Sequence, residues 1–130
     1  MKVEDVHMNI QKVEKQGALI ALVESDRPLI TDVQSALDLM ATVQYETGSR
    51  LMALPKAAFA EAFFELRTRL AGEVLQKYVN YGVKLAIFGD FSGYTSNALK
   101  SFIYESNRGN AVLFVPDAAT AIERLAAAQP

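Results

Sequence analysis

A group of side chains that could hydrogen-bond an anion follows an apolar stretch in the second half of the chain. Asp90 and Ser92 come first, and Tyr94, Thr95 and Ser96 end the segment. If a helix begins after this loop, these groups lie beside its unpaired N–H groups, the usual place for a phosphate or carboxylate. In a simpler interpretation, Asp90 ties the turn and Ser96 caps the helix. The loop over residues 89–96 is therefore a candidate ligand-binding site, and the turn-and-cap role is the commoner outcome for such residues.

The residue types in the chain argue against several kinds of catalytic site. The loop lacks the glycine spacing of a nucleophile elbow, a P-loop or a dinucleotide-binding fingerprint. The chain has no cysteine and a single histidine, His7, which we expect to be solvated near the N-terminus. Thiolate chemistry and cysteine zinc sites are thereby excluded, and a Ser-His-Asp triad or a multi-histidine metal site is excluded or severely weakened. We predict no catalytic residue, no metal site and no cofactor.

Acidic residues before the first helix form a weaker candidate site. Alternate loops of a parallel sheet meet at one edge, so Asp26 and Asp32 could approach Asp90 there. A pair of carboxylates can perform acid–base chemistry when its spacing and its pKa values are suitable. Capping of a turn or a helix explains both residues more simply.

A cluster of mixed charge in the middle of the chain is the last charged candidate. Arg67 and Arg69 could clamp a ligand at a break in a helix, together with the neighbouring acids Glu61, Glu65 and Glu73. Mixed charges at helical spacing more often form a solvated face. We take the solvated face as the expected outcome.

The element that positions the candidate loop is the apolar run 83–88. It is rich in β-forming residues and too short for a helix, which predicts a strand buried on both faces in the middle of a sheet. Glycine, aspartate and serine then stop the strand. A helix over roughly 96–107 is predicted from the apolar spacing of Leu99, Phe102 and Ile103.

The remaining segments alternate between strand and helix patterns. Strands are predicted at 8–15, 18–24, 50–54 and 111–115, with a hairpin turn at Gln16 and Gly17. One helix begins at Thr31 or Asp32 and ends at Gly48, and the last begins at Asp117. The segment 56–81 is predicted to be helical with a break between Arg67 and Gly72.

The order β-β-α-β-α-β-α-β-α predicts an α/β fold with a single mixed, mostly parallel sheet flanked by helices. The chain of 130 residues is expected to form a single domain over 1–130, with frayed ends at 1–7 and 126–130. A net charge of −2 argues against binding of a nucleic-acid backbone. We find no signal peptide and no apolar run long enough to insert in a membrane, so the expected location is the cytoplasm.

The order of elements, with the hairpin first, resembles the STAS fold of anti-sigma-factor antagonists. Segments 31–40, 70–77, 87–92 and 102–107 are also similar to a bacterial family known as domain of unknown function 4180, which has no assigned activity. The STAS resemblance implies a protein-docking or regulatory module. Its best-known switch is a phosphorylated serine after the third strand, but the corresponding loop here, 54–57, contains no hydroxyl group.

We therefore expect a non-catalytic protein-interaction or regulatory module with a protein partner or a second copy of the chain. The alternative is a binder of a small anionic or polar ligand, or an enzyme, that uses loop 89–96. A third hypothesis is membrane-surface binding through Phe59, Phe63 and Phe64. Core packing is expected to account for at least half of the tyrosines, and any that are exposed together would suit a protein interface. The tyrosines are Tyr45, Tyr78, Tyr81, Tyr94 and Tyr104.

Overall fold

The strands form one five-stranded sheet in the order β1-β2-β3-β4-β5 in a computed structural model that describes residues 8–128. The first strand is antiparallel to the second, and all other neighbouring pairs are parallel. The strands are β1 Met8–Lys15, β2 Ala18–Ser25, β3 Leu51–Pro55, β4 Lys84–Phe88 and β5 Val112–Val115. The prediction of a mixed, mostly parallel sheet is confirmed, and β4 lies inside the sheet as expected. His7 and the other residues of segment 1–7, like 129 and 130, lie outside the described residues.

Helices follow the parallel strands, and their ends have the predicted capping residues. They are α1 Val33–Thr47, α2 Leu70–Asn80, α3 Asn97–Arg108 and α4 Ala118–Ala127. Asp32 caps α1: its carboxylate accepts a hydrogen bond from the Ser35 N–H at 2.7 Å, and the Ser35 hydroxyl accepts one from the Asp32 N–H at 3.1 Å. Gly48 ends the helix with a left-handed φ of 74°.

The prediction of a helix beginning at Lys56 is wrong for residues 56–69. This segment forms short 3-10 turns, at Lys56–Ala58, Glu61–Phe64 and Leu66–Thr68. Its backbone pairs instead with the chain before α1, since the Ala58 carbonyl accepts hydrogen bonds from the Leu29 and Ile30 N–H groups at 2.7 and 2.9 Å. The predicted break is confirmed at Arg69, whose φ of 67° stops a continuous helix there.

The core consists of two apolar layers, one on each face of the sheet. Residues alternate between the layers along each strand, so Leu85 and Ile87 face α1 and α2 whereas Ala86 faces α4. The last helix packs against all the strands and buries Leu125 and Ala126. Helix α4 thus includes residues 126 and 127, which were expected to fray, because Ala126 completes the second layer.

Within residues 8–128, no helix combines the length and the apolar character that are needed to cross a bilayer.

Candidate functional site

Loop 89–96 leaves the carboxyl end of β4 and is fixed to the end of β3 by Lys56. The Lys56 ammonium donates a hydrogen bond to the Asp90 carbonyl at 2.9 Å. Gly89 has a φ of 155°, and a Cβ added there would lie 2.8 Å from the Lys56 Cβ. Only glycine therefore fits at position 89, because the two strand ends approach each other too closely for a side chain.

Asp90 and Ser92 are bonded to each other. One carboxylate oxygen of Asp90 accepts hydrogen bonds from the Ser92 hydroxyl at 2.6 Å and from the Ser92 N–H at 2.9 Å. These bonds, hydroxyl first, lower the pKa of the exposed Asp90 carboxyl, and the charge of Lys56 lowers it further. Asp90 therefore ties the turn as an ionised group, and this geometry gives it no proton to donate near neutral pH.

Tyr94 packs its ring between a cation and an aromatic side chain. The Lys56 ammonium lies 4.6 Å from the centre of the Tyr94 ring, and the Phe64 ring centre is 5.5 Å away. The Tyr94 hydroxyl is shielded from solvent and makes no hydrogen bond of ordinary geometry. Burial raises the pKa of Tyr94, and the neighbouring Glu61 carboxylate, toward which the hydroxyl points without a full hydrogen bond, raises it further. The hydroxyl is therefore protonated and keeps an unused capacity to hydrogen-bond.

Ser96 is the N-cap of α3, as the turn-and-cap interpretation predicted. Its hydroxyl accepts a hydrogen bond from the Leu99 N–H at 3.2 Å. Thr95 is exposed beside it.

A cleft of about 560 Å³ separates the start of α3 from the 3-10 turns over 61–68. Of the predicted ligand residues, Tyr94, Thr95 and Ser96 line this cleft, whereas Asp90 and Ser92 do not. The charged residues at its border are Glu61, Glu65 and Arg67. Arg69 and Glu73 line a different groove, so the two arginines of the alternative clamp hypothesis lie in two separate places.

The acids before α1 do not join this cleft. Asp32 is engaged in capping α1, and the hydrogen bonds from Ser35 lower the pKa of its carboxyl. Asp26 lies 3.7 Å from Arg27 and lines a shallow hollow with Pro55 and Phe88. Across residues 8–128, no group of three or more aspartate, glutamate, histidine or cysteine side chains is arranged to hold a metal ion.

A second groove, which sequence reasoning missed, runs between α2 and α3. It has a volume of about 670 Å³, and its surface is mainly apolar, with Leu66 and Phe102 as its hydrophobic residues. Gly72 also lines it, and a Cβ added to Gly72 would meet nothing within 4 Å. The sequence signal was Gly72 itself, a poor helix former without a turn to explain it, but we interpreted it only as part of the helix break.

The exposed tyrosines belong to three different segments: Tyr45 is in α1, Tyr81 directly follows α2, and Tyr104 is in α3. Tyr45, Tyr81 and Tyr104 are 91%, 53% and 64% exposed. Tyr78 is buried, and its hydroxyl donates a hydrogen bond to the Ala36 carbonyl at 2.7 Å. Tyr94 is partly buried, so core packing accounts for fewer tyrosines than expected.

The hypothesis of a membrane-binding phenylalanine surface is wrong. Phe59, Phe63 and Phe64 are only 4%, 1% and 3% exposed. Their rings pack against each other, with centres 4.6 to 6.0 Å apart. They belong to the core beneath the 3-10 turns and present no apolar face to a bilayer.

Comparison with known protein families gives a match over most of the chain. The model of a family described as "Domain of unknown function (DUF4180)" matches residues 15–125. A search of curated proteins found no match.

Proposed function

Because the chain belongs to the DUF4180 family, whose description assigns no activity, we propose a function from the geometry: a non-catalytic module that docks a helix of a partner protein between α2 and α3. We also propose that its architecture is STAS-like, which the hairpin-first order of the strands supports. The absence of cysteine supports a role in the reducing cytoplasm.

The observation that carries this proposal is the unfilled apolar groove. Neighbouring helices on one face of a sheet normally interdigitate at interaxial distances of about 8–10 Å. Helix α2 contacts α1, but the groove separates it from α3. Leaving Leu66 and Phe102 accessible to water has a free-energy cost that a bound partner would remove.

The chemistry of the groove suits one face of an amphipathic helix. Gly72 lines the groove, and the open space beside it can accept one apolar anchor of the partner. The border carries charges of both signs, from Arg69, Lys77 and Glu73. Apolar floors with polar borders are the usual receptors for amphipathic helices, which insert side chains spaced three or four residues apart.

The proposal can be tested by site-specific photo-cross-linking in the source cells. A benzophenone amino acid at Gln76, which lines the groove, should give a discrete adduct with a partner protein. The same amino acid at Glu123, exposed on α4, is the matched control and should give none. Adducts of equal yield from both positions would contradict the proposal.

A pair of glycine substitutions tests whether the groove itself is responsible. Gly72→Leu should fill the groove and abolish the Gln76 adduct. Gly93→Leu is the control, because a Cβ at Gly93 also meets nothing within 4 Å but lies in the other cleft. Circular dichroism should show that both variants are folded, and an adduct that survives Gly72→Leu would refute docking in this groove.

A second candidate function is binding of a small anionic or polar ligand in the cleft beside α3. The specific observation in its favour is Tyr94, which lines the cleft together with Arg67 and Thr95 and whose shielded hydroxyl makes no hydrogen bond of ordinary geometry. Inorganic phosphate and a panel of small carboxylic acids are suitable probes in thermal-shift measurements. A stabilising probe should lose its effect in Gly93→Leu and keep it in Gly72→Leu, the reverse of the pattern expected for helix docking.

A further inference from the structure

The two edges of the sheet differ in how their backbone groups are satisfied. At the β5 edge, the Asn107 carboxamide donates to the Phe114 carbonyl at 3.0 Å and accepts from the Phe114 N–H at 2.7 Å. This side chain thus occupies the place of a neighbouring strand. No strand among residues 8–128 pairs with the outer side of β1. Among the described residues, the β1 edge is therefore the one that offers a row of backbone groups to another chain.

Strand β1 is also a regular template. It pairs with β2 without interruption from Met8 opposite Ser25 to Lys15 opposite Ala18, so no bulge twists the edge away. It contains no proline. Ile10 and Val13, which belong to opposite layers of the core, both remain partly exposed.

We infer that β1 pairs with β1 of a second copy of the chain, in an antiparallel arrangement with the two-fold axis at Val13. A two-fold axis perpendicular to a sheet keeps each face of the sheet on its own side. Residues directly opposite each other in an antiparallel pair point to the same face, so the axis lies midway between the two copies of one residue, which face each other across it.

The charges of β1 decide which residue faces its own copy at the axis. An axis at Lys12 or at Glu14 would place like charges directly opposite each other. An axis at Ile10 or at Gln11 brings no pair of opposite charges together.

Only the axis at Val13 pairs an apolar side chain with an apolar side chain and a positive charge with a negative one. The two Val13 side chains face each other there, and Lys12 of each copy lies opposite Glu14 of the second copy. Because this pairing is short, the dimer should be in equilibrium with the monomer in a concentration-dependent way. The inference is independent of the groove between α2 and α3, which contains no residue of β1.

Sedimentation velocity of the full chain over a concentration series tests this dimer. The wild type should self-associate, and Lys12→Glu or Glu14→Lys should each raise the dissociation constant by about tenfold or more, because like charges then meet on both sides of the axis. The double variant that exchanges the two charges should restore wild-type association. The defect of each single variant should shrink as salt is added.

Glu123→Lys, which makes the same change of charge as Glu14→Lys but on the exposed surface of α4, is the control and should leave association unchanged. Thermal melts should confirm that every variant is folded. A wild type that stays monomeric at the highest concentration reached, single variants that associate normally, or a double variant that fails to recover would each overturn the inference.

Discussion

At the scale of single residues, Lys56 organises the carboxyl edge of the sheet. It stands at the end of β3, binds the Asp90 carbonyl after β4, and covers the Tyr94 ring. A cation above an aromatic ring stabilises a partly exposed site by about 0.5–1 kcal/mol. The same side chain forces residue 89 to be glycine. The main role of the polar groups around this loop is thus to join the end of β3 to the end of β4.

The two tyrosines with shielded hydroxyls should respond differently to removal of the oxygen. Tyr78→Phe loses the hydrogen bond to the Ala36 carbonyl and should lower the free energy of unfolding by about 1–2 kcal/mol. Tyr94→Phe removes a hydroxyl that makes no hydrogen bond of ordinary geometry, so its unfolding free energy should stay within about 0.5 kcal/mol of wild type or rise. Urea unfolding measures both variants. A Tyr94→Phe variant less stable than Tyr78→Phe would show that the Tyr94 hydroxyl is bonded in solution.

The lowered pKa of Asp90 predicts a dependence of stability on pH. The folded pKa lies below the ordinary value of 3.8, so ionised Asp90 contributes stability above 3.8, and this is lost as pH falls through the folded pKa. Asp90→Asn should therefore melt at a lower temperature than wild type at pH 7. The difference in Tm should shrink as pH is lowered below 3.8. A difference that grows in acid would contradict the assigned shift.

At the scale of elements, residues 56–69 show how tertiary contacts override a local pattern. Ala58, Ala62, Phe63 and Leu66 have helical spacing. The Ala58 carbonyl nevertheless bonds the segment before α1, and the Ala60 N–H donates to the Ile30 carbonyl at 2.9 Å. These bonds use backbone groups that a helix would need for itself. The segment folds as short turns that close over the three phenylalanines.

The junction between β3 and β4 should be sensitive to a single methyl group. Gly89→Ala should reduce the free energy of unfolding by about 1–3 kcal/mol, because its Cβ would meet the Lys56 Cβ, which cannot rotate away from the backbone. Gly93→Ala is the matched control in the same loop and should change it by less than about 0.5 kcal/mol. Chemical denaturation of both variants measures the difference. Equal stabilities would mean that the strand ends are further apart in solution.

At the scale of the whole molecule, the sheet separates two apolar layers. Strands that are covered on both faces by these layers should be the most resistant to local opening. Leu85, Ala86 and Ile87 in β4 are all 0% exposed, whereas β1 has no fully buried residue. Local opening at an edge costs less than global unfolding. The position of a strand in the sheet should therefore set how strongly its amides are protected.

Hydrogen exchange followed by mass spectrometry tests this order. At a concentration where the chain is monomeric, peptides covering β4 should exchange only through global unfolding, and peptides covering β1 should exchange faster. Protection of β1 should then increase with concentration if the strand forms a dimer. Equal protection of β1 and β4 in the monomer would contradict the expected order.

The sequence alone determined the elements whose signals are local. The β4 run, the Asp32 and Asp117 caps and the Gly48 stop depend on residues within a few positions of each other, so their patterns could be interpreted without the fold. The turn formed by Asp90 and Ser92 belongs to the same class. For this reason, the order of elements and the turn-and-cap role of the loop were predictable.

Which surfaces remain open depends on how segments far apart in the sequence pack together. The groove beside Gly72 exists because α3 stands away from α2, and the cleft beside Tyr94 exists because residues 61–68 fold as turns. At the β5 edge, the Phe114 N–H is satisfied by the side chain of Asn107, which lies seven residues earlier near the end of α3. A free surface is what remains after distant segments have packed, and no local pattern of side chains records how closely those segments approach.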